Sequence, residues 1–135
     1  MVKIAVIDGQ GGGIGSLIVK RLKDEFKDRF EIIALGTNAA ATSAMMKSRA
    51  NKGATGENAI VRTSQTADII MGPLAVIISN SMMGEVTPRM AEAVCSSDAR
   101  KILIPLTQEN VRIIGISGEP LPHLVHQAIK AIKEW

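Results

Sequence analysis

The chain has 135 residues, of which 46% are hydrophobic and 21% are charged, and its formal net charge is +3 at pH 7. This length suits a single domain, and this composition excludes an intrinsically disordered chain. The basic residues are scattered and the chain has no tyrosine, which argues against nucleic-acid binding because single strands are usually bound on aromatic platforms.

The first third of the sequence predicts a strand, a helix and a second strand. Residues 2–7 form a nearly continuous apolar run, which is typical of a parallel strand buried on both faces. From Ile14 onward, apolar residues recur at the three- and four-residue spacing of an amphipathic helix. Residues 31–36 predict a second buried strand, and the alanine-rich residues 39–49 predict a second helix. This order indicates a right-handed βαβ unit.

The middle of the sequence is less regular. We predict that residues 51–58 form a second glycine-bearing loop, that residues 57–65 are helical and that residues 68–72 are the third strand. Residues 74–83 are very apolar and follow a proline, which favours a helix, although their β-branched content makes a strand the alternative.

The last third begins with a clear helix signal. Thr87 followed by proline predicts the start of a helix that continues to Ser96. Residues 101–106 and 111–116 predict the fourth and fifth strands, and residues 122–133 predict a final helix. The connection between the last two strands is too short for a parallel crossover, so we expect the fifth strand to be antiparallel, at an edge of the sheet.

This alternation predicts one domain over residues 1–135, an α/β protein with three layers, in which helices cover both faces of a mainly parallel sheet of about five strands. Cys95 is the single cysteine, so no internal disulfide can form, and we expect a small core residue in a reduced, cytoplasmic protein. The N-terminus lacks the pattern of a signal peptide, and the apolar residues 69–78 are too few for a bilayer span. We therefore expect no association with a membrane.

A glycine-rich turn separates the first strand from the first helix, which is the context of a Rossmann-like dinucleotide fingerprint. Glycines there allow a tight turn and close approach of phosphate oxygens to the backbone, and the helix start favours an anion. Two glycine spacings fit, one of the short-chain dehydrogenase type and one of the G-x-G-x-x-G type that ends on Ser16. The predicted cofactor-binding residues in this turn are Gly9, Gln10, Gly11, Gly12, Gly13, Ile14 and Gly15.

The second half of the fingerprint is missing. An acidic residue that binds the ribose would follow the second strand, but Thr37 and Asn38 stand there. Both side chains can hydrogen-bond a ribose or a base, and either can cap the next helix. NAD and NADP are the first candidate cofactors, although the acidic residue that would support this choice is absent. The absence of tyrosine excludes the hydride chemistry of short-chain dehydrogenases.

Five further polar residues lie in predicted loops or at helix starts. Thr55, Glu57 and Asn58 could form a second wall of the site, although Thr55 could equally cap a helix. Asn80 interrupts an apolar segment, where a buried amide would need a ligand or a neighbouring subunit as its partner. His123 is a weak candidate for proton transfer at the start of the last helix. His126 follows one turn later, but two histidines alone do not indicate a metal site.

Five motifs are spread along the chain: DGQGGGIG (8–15), ALGTNA (34–39), GATGENA (53–59), GEVTP (84–88) and PLPH (120–123). Together they resemble a small bacterial family known as domain of unknown function 3842. The resemblance covers nearly the whole chain and implies a Rossmann-like cytoplasmic protein, without implying a reaction.

Three functions fit these observations. The first is a module that binds a nucleotide as a small-molecule partner, with its phosphates on residues 9–15. The second is a small enzyme that acts on a phosphorylated or nucleotide ligand with His123 in proton transfer, and the third is a structural or regulatory subunit without a ligand. Under all three we expect a homo-oligomer, because a chain this short has more apolar surface than one small sheet readily covers.

Overall fold

The computed structural model describes residues 1–107 and 110–134 of the chain. Its strands are β1 (Lys3–Asp8), β2 (Glu31–Gly36), β3 (Lys52–Thr55), β4 (Ile69–Pro73) and β5 (Arg100–Ile104). Its helices are α1 (Gly13–Phe26), α2 (Ala39–Lys47), α3 (Glu57–Ser64), α4 (Pro88–Ser96) and α5 (Leu121–Glu134), with a 3₁₀ helix at Leu74–Ile77.

The strands form one sheet in the order β3-β2-β1-β4-β5, and every neighbouring pair is parallel. Side chains of β1 alternate between the two faces, as the geometry of a strand requires. Ile4 and Val6 pack with α1 and α5, whereas Ala5 and Ile7 pack with α3 and α4. All four are fully or almost fully buried. The predicted three-layer Rossmann-like α/β fold is confirmed.

The sequence prediction missed one strand. Residues 51–58 were predicted as a loop, but Lys52–Thr55 pairs with β2 along the edge of the sheet, with Gly36 beside Thr55. All four residues of β3 are exposed, so the segment has no apolar pattern to reveal it. Thr55 does not cap α3, because Gly56 occupies the cap position and the Thr55 hydroxyl lies 2.8 Å from that of Thr42.

The predicted strand over residues 111–116 is wrong. No strand follows β5 in the described part of the chain, and β5 itself is the edge strand. Gly115 has a φ of +91°, which interrupts an extended backbone. Ile114 and Ile116 are 85% and 49% exposed. Despite their β propensity, residues 111–116 pair with no strand within the described residues.

Residues 74–83 form neither the predicted long helix nor the alternative strand. After the 3₁₀ helix the chain turns, with positive φ angles at Asn80, Met82, Met83 and Gly84. Left-handed residues can continue neither a right-handed helix nor a strand. Asn80 is exposed rather than buried, and the buried polar residue is Ser81, whose hydroxyl donates to the Ala75 carbonyl oxygen at 2.6 Å.

Two further expectations concern the surface. Cys95 was expected in the core but is exposed on α4, because the buried face of that helix is formed by Met90, Ala91 and Val94. Of the helices in residues 1–107 and 110–134, none combines the length and apolar character that crossing a bilayer would need.

Candidate functional site

The order of the strands places a crevice beside the end of β1. From β1 the chain continues to β2 and β3 on one side, and it returns to β4 and β5 on the other. The connections that follow β1 and β4 therefore lead to helices on opposite faces of the sheet. This leaves a crevice between the carboxyl ends of these two strands. A cleft of about 600 Å³ lies there, within the range of about 300–1,000 Å³ that is usual for small-molecule sites. It is lined by Gln10, Ile14, Pro73, Ala75, Met82, Met83, Leu106, Thr107 and Asn110.

The Asp8 carboxylate organises the turn that borders this cleft. Asp8 is the last residue of β1 and is 3% exposed. Its Oδ1 accepts a hydrogen bond of 2.8 Å from the amide of Gly9, and its Oδ2 accepts one of 2.7 Å from the amide of Gly15. The start of α1 therefore already faces a carboxylate supplied by the chain itself.

Burial is the largest influence on the pKa of Asp8, and it raises that pKa above the ordinary value of an aspartate. Hydrogen bonds from the amides of Gly15, Gly9 and Ile14 act in the opposite direction, and the charge of Glu85 raises the pKa further. The balance disfavours the charged form of Asp8 relative to an exposed aspartate.

A second carboxylate, that of Glu85, joins the ends of β1 and β2. Its Oε1 accepts hydrogen bonds from the amide of Gln10 (2.8 Å), the hydroxyl of Thr37 (2.7 Å) and Nδ2 of Asn38 (2.8 Å). The bond from Thr37 has the largest effect on the pKa of Glu85, which these three donors together hold below the ordinary value. Glu85 is therefore a fixed, ionised carboxylate at neutral pH.

The sequence allowed either Thr37 or Asn38 to cap α2, and in the structure Asn38 is the cap. Its Oδ1 accepts from the amide of Ala41 at 2.9 Å. Its Nδ2 also donates to the carbonyl oxygen of Gln10 at 2.9 Å. Thr37 instead donates to Glu85, so both residues that follow β2 contact the loop on which Glu85 lies.

The glycines of the turn have two kinds of surroundings. A Cβ at Gly9, Gly12 or Gly15 would lie within 3 Å of other protein atoms. A Cβ at Gly11 or Gly13 would meet nothing within 4 Å.

The amides follow a similar division. Those of Gly9, Gln10, Gly12 and Gly15 donate to acceptors of the chain itself. Within residues 1–107 and 110–134 we find no acceptor for the amides of Gly11 and Gly13. These are the two amides of the turn that a ligand could use without displacing a bond within the chain.

Four residues predicted from the sequence lie away from the cleft. Thr55 ends β3, which is separated from β1 by β2. Glu57 lies at the start of α3, where its carboxylate accepts from the Thr87 hydroxyl at 2.6 Å, and Asn58 is exposed on the same helix. His123 pairs with Glu119, 3.2 Å away, and does not line the cleft.

Asn80 lies two residues before Met82, which lines the cleft, but Asn80 itself is not a lining residue. Its backbone amide donates to the Val86 carbonyl oxygen within the same loop. His126 belongs to no group of metal-binding side chains in the described part of the chain.

Several residues of the site were missed by sequence reasoning. Met82, Met83 and Leu106 form an apolar wall of the cleft, yet nothing in their local pattern distinguishes them from core residues. Glu85 appeared only within the motif GEVTP (84–88) and was not among the predicted site residues. Asp8 had a detectable signal, because an acid at the end of a doubly buried strand needs donors nearby.

Comparison with known proteins identifies a family. The family model described as Domain of unknown function (DUF3842) matches residues 3–135. No curated protein matches the chain. Among solved structures, a dodecameric FMN-dependent Ubix-like decarboxylase from Escherichia coli O157:H7 is similar at 13% identity with a TM-score of 0.46, over 99% of this chain and 75% of that chain.

Proposed function

The chain belongs to the DUF3842 family, and from the geometry of its own cleft we propose that it binds a nucleotide between the carboxyl ends of β1 and β4. A phosphate of the ligand accepts hydrogen bonds from the amides of Gly11 and Gly13. The less polar part of the ligand lies against Ile14, Met82 and Met83 in the cleft. NAD and NADP remain the first candidates.

One observation carries this proposal: a cleft of nucleotide size lies at the switch point of the sheet, and two of its lining residues come from the turn that carries the amides of Gly11 and Gly13. Gln10 and Ile14 line the cleft and flank Gly11 and Gly13 in the sequence. Amides at the start of a helix are suited to an anion, because the helix dipole favours negative charge there. α1 has 14 residues, long enough for this effect.

The two carboxylates set the strength of the proposed binding. Asp8 and Glu85 already accept hydrogen bonds from Gly9, Gln10 and Gly15, so these amides are not offered to a phosphate. Each bond from a remaining amide to a charged oxygen contributes about 1.5–3 kcal/mol. We therefore expect a Kd of about 10 μM to 1 mM rather than nanomolar affinity.

The test is calorimetry on ligand-free protein with NAD, NADP, a flavin nucleotide, ATP and S-adenosylmethionine, preceded by native mass spectrometry of freshly purified protein. A copurifying nucleotide would be identified by its mass. We expect at least one of these compounds to bind. Absence of binding by all of them at millimolar concentration would overturn the proposal.

Gly13→Ala tests the location of the site. The added Cβ enters open space in the folded chain, so the fold tolerates it, but it stands beside the amide that a phosphate must approach. We expect affinity to fall about tenfold or more, equivalent to about 1.4 kcal/mol. Gly118→Ala is the matched control, since its Cβ also meets nothing within 4 Å and Gly118 does not line the cleft.

Self-association stays a prediction. Ile114 and Ile116 are 85% and 49% exposed. Apolar side chains of this size favour contact with another surface. A second copy of the chain is the partner that we propose for them.

A further inference from the structure

We propose that Glu85 determines specificity for ribonucleotides by accepting a hydrogen bond from a ribose hydroxyl of the ligand. The inference rests on the proposed function and adds a named contact to it. The acid that dinucleotide-binding folds place after the second strand is missing here, and Glu85 supplies a carboxylate at the same point from another part of the chain.

The geometry divides the Glu85 carboxylate into two halves. Oε1 accepts from Gln10, Thr37 and Asn38, all at 2.7–2.8 Å. Within residues 1–107 and 110–134, no donor is found for Oε2. The first oxygen fixes the side chain in place, and the second is left to accept a hydrogen bond from a ligand.

The chemistry of the free oxygen selects a hydroxyl. An ionised carboxylate only accepts hydrogen bonds, and the donors around Oε1 hold the pKa of Glu85 below its ordinary value. A phosphate would be repelled by this charge, whereas the hydroxyls of a ribose are donors of suitable size. Glu85 touches Gln10, which lines the cleft, and Thr37 and Asn38, which follow β2. A ribose there would lie next to a phosphate on the turn.

A purely structural role for Glu85 is the competing explanation. Glu85 fastens a loop that contains four residues with positive φ between Asn80 and Gly84. Glu85→Ala would remove both the brace and the ligand contact, so it cannot separate the two roles. Glu85→Gln can, because its amide oxygen still accepts from the three donors, while its amide nitrogen replaces the free oxygen with a donor.

The experiment compares the binding of ADP and 2′,3′-dideoxy-ADP by calorimetry. In the unaltered chain we expect ADP to bind about ten- to a hundredfold more tightly, the range for a hydrogen bond to a charged group. In Glu85→Gln we expect the two ligands to bind within about twofold of each other, with the affinity for the dideoxy compound nearly unchanged. Glu92→Gln is the matched control, because Glu92 is exposed on α4 and also accepts from a hydroxyl, that of Ser96 at 2.9 Å.

Each outcome has a distinct meaning. Equal binding of both compounds by the unaltered chain overturns the role of Glu85 and leaves nucleotide binding intact. A preference for ADP that persists in Glu85→Gln also overturns it, and shifts recognition of the hydroxyls to Thr37 or Asn38. If neither compound nor any other nucleotide binds, the proposed function fails and the inference fails with it.

A second variant covers the case in which Glu85→Gln does not fold. Glu85→Asp keeps the charge but withdraws the carboxylate by one methylene group. We expect this variant to lose the preference for ADP as well. Retention of the full preference would contradict the inference.

Discussion

Two faces of one glycine-rich turn differ sharply. Gly9, Gly12 and Gly15 lie against protein atoms, whereas Gly11 and Gly13 face open space. On the first face, glycine is needed because helices and side chains approach too closely for a Cβ. On the second face, the protein itself does not require glycine. The comparison shows that one motif can contain glycines that permit close packing within the protein and glycines that leave the backbone open to solvent.

The polar groups of the turn show the same division. On the side of β2, the carboxylates of Asp8 and Glu85 accept from the amides of Gly9, Gln10 and Gly15. On the side of β4 the turn borders an open cleft with apolar walls. The first, closed side therefore contributes to stability and leaves Oε2 of Glu85 for the proposed ribose contact, while the second, open side is available to the rest of a ligand.

The strongest test of the closed side is Gly12→Ala. Gly12 has a φ of +73°, and an added Cβ would lie 2.8 Å from the Cα of Ala41 on α2. A left-handed conformation costs about 1–2 kcal/mol for other residues, and an overpacked contact with backbone atoms costs about 1–3 kcal/mol. We expect the free energy of unfolding to fall by about 3 kcal/mol, measured by urea denaturation.

Gly118→Ala serves as the control for that measurement, because its Cβ meets nothing within 4 Å, and it should change stability by less than about 0.5 kcal/mol. A loss below about 1 kcal/mol in Gly12→Ala would show that the turn and α2 are not closely packed.

A smaller effect is expected from Thr37→Val, which removes one of the three donors to Glu85. The acceptor is charged but the bond is only partly buried, so solvent screening reduces its contribution, and its loss should destabilise the chain by about 1–1.5 kcal/mol. Thr66→Val is a suitable comparison, because Thr66 is exposed and its hydroxyl makes only a 3.4 Å bond to the Thr63 carbonyl oxygen. Equal thermal denaturation midpoints for the two variants would contradict the stabilising role of the closed side.

The smallest effect on stability is expected on the open side. Met83 is 97% exposed and lines the cleft. Met83→Ser should therefore change the free energy of unfolding by less than about 0.5 kcal/mol. It should weaken binding of the nucleotide identified by calorimetry by several-fold, because the ligand loses an apolar contact. A marked loss of stability would mean that Met83 is covered in solution.

Much of the architecture could be read from local patterns. Apolar periodicity predicted β1, β2, α1 and α5, and the Thr87-Pro88 pair predicted the start of α4, where the Thr87 hydroxyl accepts from the amide of Met90. Strand propensity was misleading for two segments. β3 is a strand that pairs with β2 although all its residues are exposed, and residues 111–116 pair with no strand in the described chain despite their β propensity.

The site was predictable only in part. The sequence identified the glycine turn, Thr37 and Asn38, and the structure brings these together at the ends of β1 and β2. It did not identify Glu85, which is separated from Gln10 by 75 residues and from Thr37 by 48. No local pattern records contacts at such separations, because they depend on how the loop after β4 folds back over the turn.

The sequence by itself determined a layered α/β domain with a glycine turn after its first strand, since periodicity and turn chemistry are properties of neighbouring residues. Only the tertiary structure decided which glycines are packed, which amides stay unoccupied and which carboxylate reaches the end of β2. These depend on contacts between distant segments, and such contacts exist only once the sheet has assembled.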